Sequence, residues 1–256
     1  MILEYYRRTG DREILKRYRA DVDIILEYFD RHIGSYGLVE NLGYWDFVDW
    51  QELWQPTAGR PGTVMEGPSY EEFTQHAQSW AVLNGMLTQE EARRVMRRTF
   101  EEKDVLRCYF STSYELFRAC EKAGCYELTG RQMDWWIRLP EEHCVACPET
   151  PANDRSECHA WSALPMYELL SVIAGIRRES GNPDLVDICP HMDYVPDLEG
   201  RMITEYGAIE FCYTPTDYGM CYEITLPDGM SGSFTFPSGQ KRELKNGRNK
   251  IEDYNR

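Results

Sequence analysis

Two clusters of carboxylates beside tryptophans are the residues of this sequence best suited to chemistry. Asp46 and Asp49 lie within Tyr44-Trp45-Asp46-Phe47-Val48-Asp49-Trp50, and Glu149, Asp154 and Glu157 precede His159 and Trp161. Glycosidic bond hydrolysis needs such parts, because two carboxyl groups flank the scissile bond while aromatic faces and a few polar groups hold the sugar. The opposing reading makes Trp45, Trp50 and Trp161 core residues and leaves the acids solvated. Residue type alone does not choose between them.

A second constellation is His143-Cys144-Val145-Ala146-Cys147 followed by Cys158-His159, five soft ligands within 17 positions. Zinc therefore has to be weighed. Adjacent Cys158 and His159 would have difficulty turning both side chains to one ion, and no second Cys-x-x-Cys completes the usual spacing. Ordinary packing or solvent-facing thiols are the expectation, and no metal. There is no Gly-x-Gly-x-x-Gly, no Gly-Lys-Ser/Thr and no Gly-x-Ser-x-Gly. Dinucleotide, nucleotide and serine-hydrolase chemistry lack their loops, and no cofactor is implied.

Positioning these residues takes a core, and 256 residues with 42% hydrophobic content can supply one. Between Asp11 and about Ile33 the residues Ile14, Tyr18, Val22, Ile25, Leu26, Phe29 and Ile33 recur at helical steps, with Asp11 as the N-cap. Gly59, Pro61, Gly62, Gly67 and Pro68 mark an irregular loop. Further helices are expected at about 70–86, 88–101, 111–123 and 129–139, the second with Thr88 as cap and Glu91 three residues on. Residues 140–159 have no period and read as a long loop, followed by a helix from about Pro165 to Gly175. After about Arg178 the apolar period changes from about 3.6 to about 2. Ile209, Phe211 and Tyr213, then Tyr222, Ile224 and Leu226, then Phe234 and Phe236 alternate with less apolar neighbours. Pro227-Asp228-Gly229, Pro237-Ser238-Gly239 and Asn246-Gly247 read as turns between strands.

The formal net charge of -15 repels phosphate backbones and anionic lipid, so neither nucleic acid nor a membrane is an expected partner. No apolar run approaches the roughly 18 to 20 residues of a membrane span, and the first residues lack a basic head followed by an apolar stretch. Nine scattered cysteines fit reduced thiols in a cytoplasm, the expected location.

Five blocks in order resemble the bacterial α-L-rhamnosidases of glycoside hydrolase family 78: Tyr5-Tyr6-x-x-Thr9-Gly10-Asp11, Gly43 to Trp50, Thr74 to Leu83, Pro148-Glu149-Thr150-Pro151, and Arg155 to Ala163. The resemblance implies a mainly α fold, a partial (α/α)6 six-hairpin barrel over residues 1–178 followed by a small C-terminal antiparallel β-sandwich over 179–256. It also implies an inverting hydrolase that removes terminal α-L-rhamnose, with carbohydrate, in the form of rhamnosides, as its partner. Glu149 falls at the general base. His159 and Trp161 fall in the rhamnose pocket, and Trp45, Asp49 and Trp50 at another wall. His76 falls at a helix junction.

The departures carry expectations too. A six-hairpin barrel has twelve helices, and this chain has room for about six before its strands. The family's general-acid block lies upstream of the matching region, so a truncated, internally shortened relative with impaired catalysis is expected. Apolar stripes meant for a closed ring would be exposed, which favours a homo-oligomer. The alternative is a non-catalytic carbohydrate-binding or scaffold remnant of such an enzyme.

Overall fold

Strands begin where the apolar period changes. The computed structural model describes residues 2–34, 74–85, 87–103, 105–152, 156–179 and 182–254. Among these the helices come first: α1 (Ile2–Thr9), α2 (Glu13–Asp30), α3 (Gln75–Leu83), α4 (Gln89–Glu101), α5 (Ser113–Ala123), α6 (Gly130–Arg138) and the short α7 (Leu164–Glu168). Then come β1 (Ile176–Glu179), β2 (Asn182–Ile188), β3 (Leu198–Thr204), β4 (Gly207–Thr216), β5 (Gly219–Leu226), β6 (Ser231–Thr235), β7 (Lys241–Leu244) and β8 (Gly247–Asp253). The chain divides into two compact units, Met1–Ala20 with Met166–Arg256, and Asp21–Pro165. No helix among the described residues is long and apolar enough to cross a membrane.

Local signals act at the helix ends. Asp11 Oδ1 accepts from the Glu13 N–H at 2.9 Å, capping α2 as expected. At α4 the capping box is closed in both directions: the Thr88 hydroxyl accepts from the Glu91 N–H, and the Glu91 carboxylate accepts from the Thr88 N–H. Hydrogen bonds from the Thr88 hydroxyl and N–H hold the Glu91 carboxyl below the usual carboxylate range. Gly124 ends α5 in the left-handed region at φ +67, where its N–H reaches the Cys120 and Glu121 carbonyls. The apolar stripe of α2 behaves differently. No residue of that helix is buried, and Ile25 and Leu26 are 56% and 55% exposed.

In the helical unit α3, α4 and α5 pack on one another over Met96, Phe100, Leu116 and Phe117, all buried. Two buried glutamines then hold the connection that follows α4. Gln75 Oε1 accepts from the Cys108 N–H at 2.9 Å, and Gln132 Nε2 donates to the Cys108 carbonyl at 2.6 Å. An amide on each side thus satisfies a buried non-helical peptide that would otherwise be costly to bury. The fixed backbone delivers Phe110 to a cluster with Leu139 and Cys144, against which Trp135 and Trp136 pack. Trp136 lies 4.3 Å from Phe110, centroid to centroid, and its indole N–H donates to the Ser162 carbonyl at 2.7 Å.

The expected helix from Pro165 to Gly175 is instead a short helix that widens into a π turn over Leu169–Ile173, with Ala174 N–H donating to the Leu169 carbonyl. Its last carbonyls find partners outside the helix, because His191 N–H donates to those of Val172 and Ile173. Gly175 follows at φ +72, where a Cβ would stand 2.1 Å from the Cys189 carbonyl oxygen, so only glycine fits. Two four-stranded sheets complete this unit, in the orders β1-β2-β6-β7 and β3-β4-β5-β8, with β2 and β6 the parallel pair. Ile209, Phe211, Tyr213, Tyr222, Ile224, Leu226 and Phe234 are buried, as the alternation requires, and Tyr222 meets Phe234 of the other sheet at 4.8 Å. The three turn signals do different jobs. Residues 237–239 close the β6–β7 hairpin, whereas 227–229 and 246–247 carry the chain from one sheet to the other.

Tyr213 O–H donates to the buried Ala174 carbonyl at 2.9 Å, and burial pushes its phenol far above the ordinary range, so it stays a donor. Tyr213→Phe leaves that carbonyl unpaired and should lower stability by ~1–3 kcal/mol, read as a lower urea midpoint. Trp136→Phe keeps a ring on Phe110 but strips the Ser162 carbonyl of its donor, a loss of ~1–3 kcal/mol. Amide exchange in residues 160–163 should accelerate, and unchanged exchange would show that the bond does not hold the turn.

Candidate functional site

The loop that sequence periodicity leaves unassigned folds back on itself. Glu149 N–H donates to the Ser156 carbonyl and His159 N–H to the Cys147 carbonyl, both at 2.7 Å, and Cys147 and Cys158 form an isolated parallel bridge. Residues 147–149 are thereby tied to residues 156–159. A 3₁₀ turn, Ala160–Ala163, follows, held by the Trp136 bond to Ser162 and by Ser162 Oγ donating to the His159 carbonyl at 2.9 Å. The ties are between main-chain groups, or come from the Trp136 indole on α6 and the buried Ser162 hydroxyl, so the corner does not depend on the side chains of Glu149 or His159.

Three of the expected site residues meet there. Glu149 Oε2 stands 4.0 Å from His159 Nε2, with 12% and 27% of the two side chains exposed. The Trp161 ring lies 4.5 Å from the His159 ring at 31°, and its N–H donates to the Glu149 carbonyl at 3.3 Å. His159 Nδ1 is buried without a hydrogen-bond partner. A largely desolvated carboxylate beside an imidazole and a half-open indole can accept a proton from water and offers hydrogen-bonding and stacking groups to a polar ring. Trp45, Asp49 and Trp50, and also Asp154 and Arg155, lie outside the described residues. His76 is buried at the start of α3.

The soft ligands of the loop do not converge. His143 is exposed at the turn after α6, Cys144 is packed in the Phe110 core, and His159 faces Glu149. Among the described residues no group of three or more His, Cys, Asp or Glu could hold a metal. Trp136 and Ser162 escape sequence reasoning, because a Trp-Trp pair inside a helical period reads only as core. Elsewhere, an open depression of 720 Å³ on the outer face of β3, β4 and β5 is lined by Glu199, Arg201, Glu210, Glu223 and Arg248. Arg248 donates to both oxygens of Glu223 at 2.9 Å, so those charges serve each other. The chemistry is better placed at Glu149.

No protein-family model matches this sequence, and no curated protein sequence is significantly similar to it. Solved structures do match. The family 78 rhamnosidase of Bacillus sp. GL1 aligns with 93% of this chain and 32% of its own, at 19% identity and a TM-score of 0.77. The Streptomyces avermitilis α-L-rhamnosidase complexed with L-rhamnose aligns with 96% and 32%, at 14% identity and 0.67. That of Dictyoglumus thermophilum aligns with 91% and 33%, at 13% identity and 0.63. The chain therefore spans about a third of the length of these proteins, and over that third it shares the fold of these α-L-rhamnosidases.

Proposed function

We propose that this chain carries the sugar pocket of an inverting glycoside hydrolase that removes terminal α-L-rhamnose, with Glu149 as the general base. The observation that supports this most is the corner itself: Glu149 4.0 Å from His159, under the indole of Trp161, on a fold shared with α-L-rhamnosidases. In this reading the helical unit is part of a six-hairpin (α/α)6 barrel, and the two sheets form the β-sandwich after it. Glu149 Oε2 takes a proton from the water that attacks the anomeric carbon from the face opposite the leaving group. His159 Nε2, turned to the same spot, shares a sugar hydroxyl with the carboxylate. The exposed part of the Trp161 ring takes an apolar face of the sugar, and Trp45, Asp49 and Trp50 supply another wall.

The leaving oxygen also needs a proton, and no residue of this chain is assigned that role. Protonation of a leaving group contributes about 10² to 10⁴-fold. Aryl rhamnosides, which depart with little help, are the substrates of choice for a test. The full chain should turn over an aryl α-L-rhamnoside, and Glu149→Gln should reduce the rate by about 10² to 10⁴-fold. The variant should keep the response of tryptophan fluorescence to L-rhamnose, and Trp161→Ala should lose it. Unchanged turnover in Glu149→Gln would remove the base assignment. A fluorescence response without any hydrolysis would assign binding alone.

The stripe of α2, left exposed among the described residues at Val22, Ile25, Leu26 and Phe29, supports self-association. Sedimentation at rising concentration should show a species heavier than the 30.0 kDa chain. A monomer throughout would overturn this.

A further inference from the structure

Among the described residues, the cysteines on either side of the Glu149 corner join no metal-binding group, and neither is buried in the core. Cys147 is half-buried and Cys158 exposed, both thiols are free, and the two residues are partners in a parallel bridge. Neighbouring strands stand about 4.7–4.9 Å apart. A disulfide accepts Cα separations of about 4.4–6.8 Å. The bridge therefore sets these two residues side by side, at a strand-to-strand spacing within the Cα range of a disulfide, and a small closing of the pair joins them.

We propose that Cys147 and Cys158 form a reversible disulfide that staples the loop carrying Glu149 and His159. The oxidant is a small-molecule disulfide such as oxidised glutathione. The Cys158 thiolate, the more exposed, attacks one sulfur of the reagent, forms a mixed disulfide and expels one thiolate. The Cys147 thiolate then attacks Cys158 Sγ, forms the internal bond and expels the second. Two electrons pass from the two protein thiols to one external disulfide, and the two thiol protons are taken up by water or the released thiolates. The staple closes at the bridge that precedes Glu149 by two residues and His159 by one, so it fixes the approach of carboxylate to imidazole.

A second close pair provides the contrast. Cys125 Sγ donates to the Cys120 carbonyl at 3.6 Å, but both residues are fully buried, out of reach of a reagent in the native protein. Burial pushes the Cys120 thiol well above its usual range, which further withholds the thiolate.

The test is incubation of the native full chain with oxidised glutathione, blocking of the remaining thiols, digestion and mass spectrometry. A peptide pair linked through Cys147 and Cys158, released by dithiothreitol, is expected, with two thiols lost per chain. Cys147→Ser should instead retain glutathione on Cys158, and Cys158→Ser should take up none. Glutathione that stays on Cys158 in the unsubstituted chain overturns the proposal. So does linkage of Cys158 to Cys144 or another cysteine, or nine unreacted thiols. The readout is a linked peptide, so the outcome is independent of any activity on sugars.

Discussion

The helical unit depends on what Trp136 does with its two ends. Its ring face lies on Phe110, and its indole edge donates to the Ser162 carbonyl. A partly buried indole N–H and a carbonyl in a short 3₁₀ turn each need a partner. Each meets the other's requirement, and the turn that carries Trp161 and begins beside His159 is fixed as a result. Phe110 is itself placed by the peptide of Cys108, gripped by Gln75 on one side and Gln132 on the other. The chain of dependence runs from two buried amides, through one aromatic stack, to the corner where a carboxylate meets an imidazole.

That order explains why a loop without apolar period can hold a defined site. Residues 147–149 and 156–159 are joined by main-chain bonds, which do not depend on the identity of the side chains. The side chains at Glu149, His159 and Cys158 are left free for chemistry. Cys144, by contrast, gives its side chain to the Phe110 core. The strand unit is built on a different rule, with one apolar face per sheet and Tyr213 anchoring β4 to the segment that precedes β1.

Much of this was legible as local pattern. Thr88 and Glu91 announce a helix start because a capping box acts over three residues, and Asp11 does so over two. The alternation of Ile209, Phe211 and Tyr213 announces a half-buried strand because successive side chains point to opposite faces. Glu149, His159 and Trp161 are singled out by a motif resemblance rather than by periodicity, and the structure sets the three side by side. Trp136 and Ser162 were not foreseen, because the bond between them joins residues whose local patterns carry no trace of each other.

By itself the sequence determined where elements start, what period they follow and which residue types stand near the loop, since these depend on neighbours a few residues away. Tertiary structure alone decided the rest. Pro227-Asp228-Gly229 and Pro237-Ser238-Gly239 are equally good turns, yet one crosses between sheets and the other closes a hairpin, because the parallel pairing of β2 with β6 is a long-range contact. Likewise the stripe of α2 has the pattern of a buried helix face and is exposed, since burial depends on what packs against a face and not on the face.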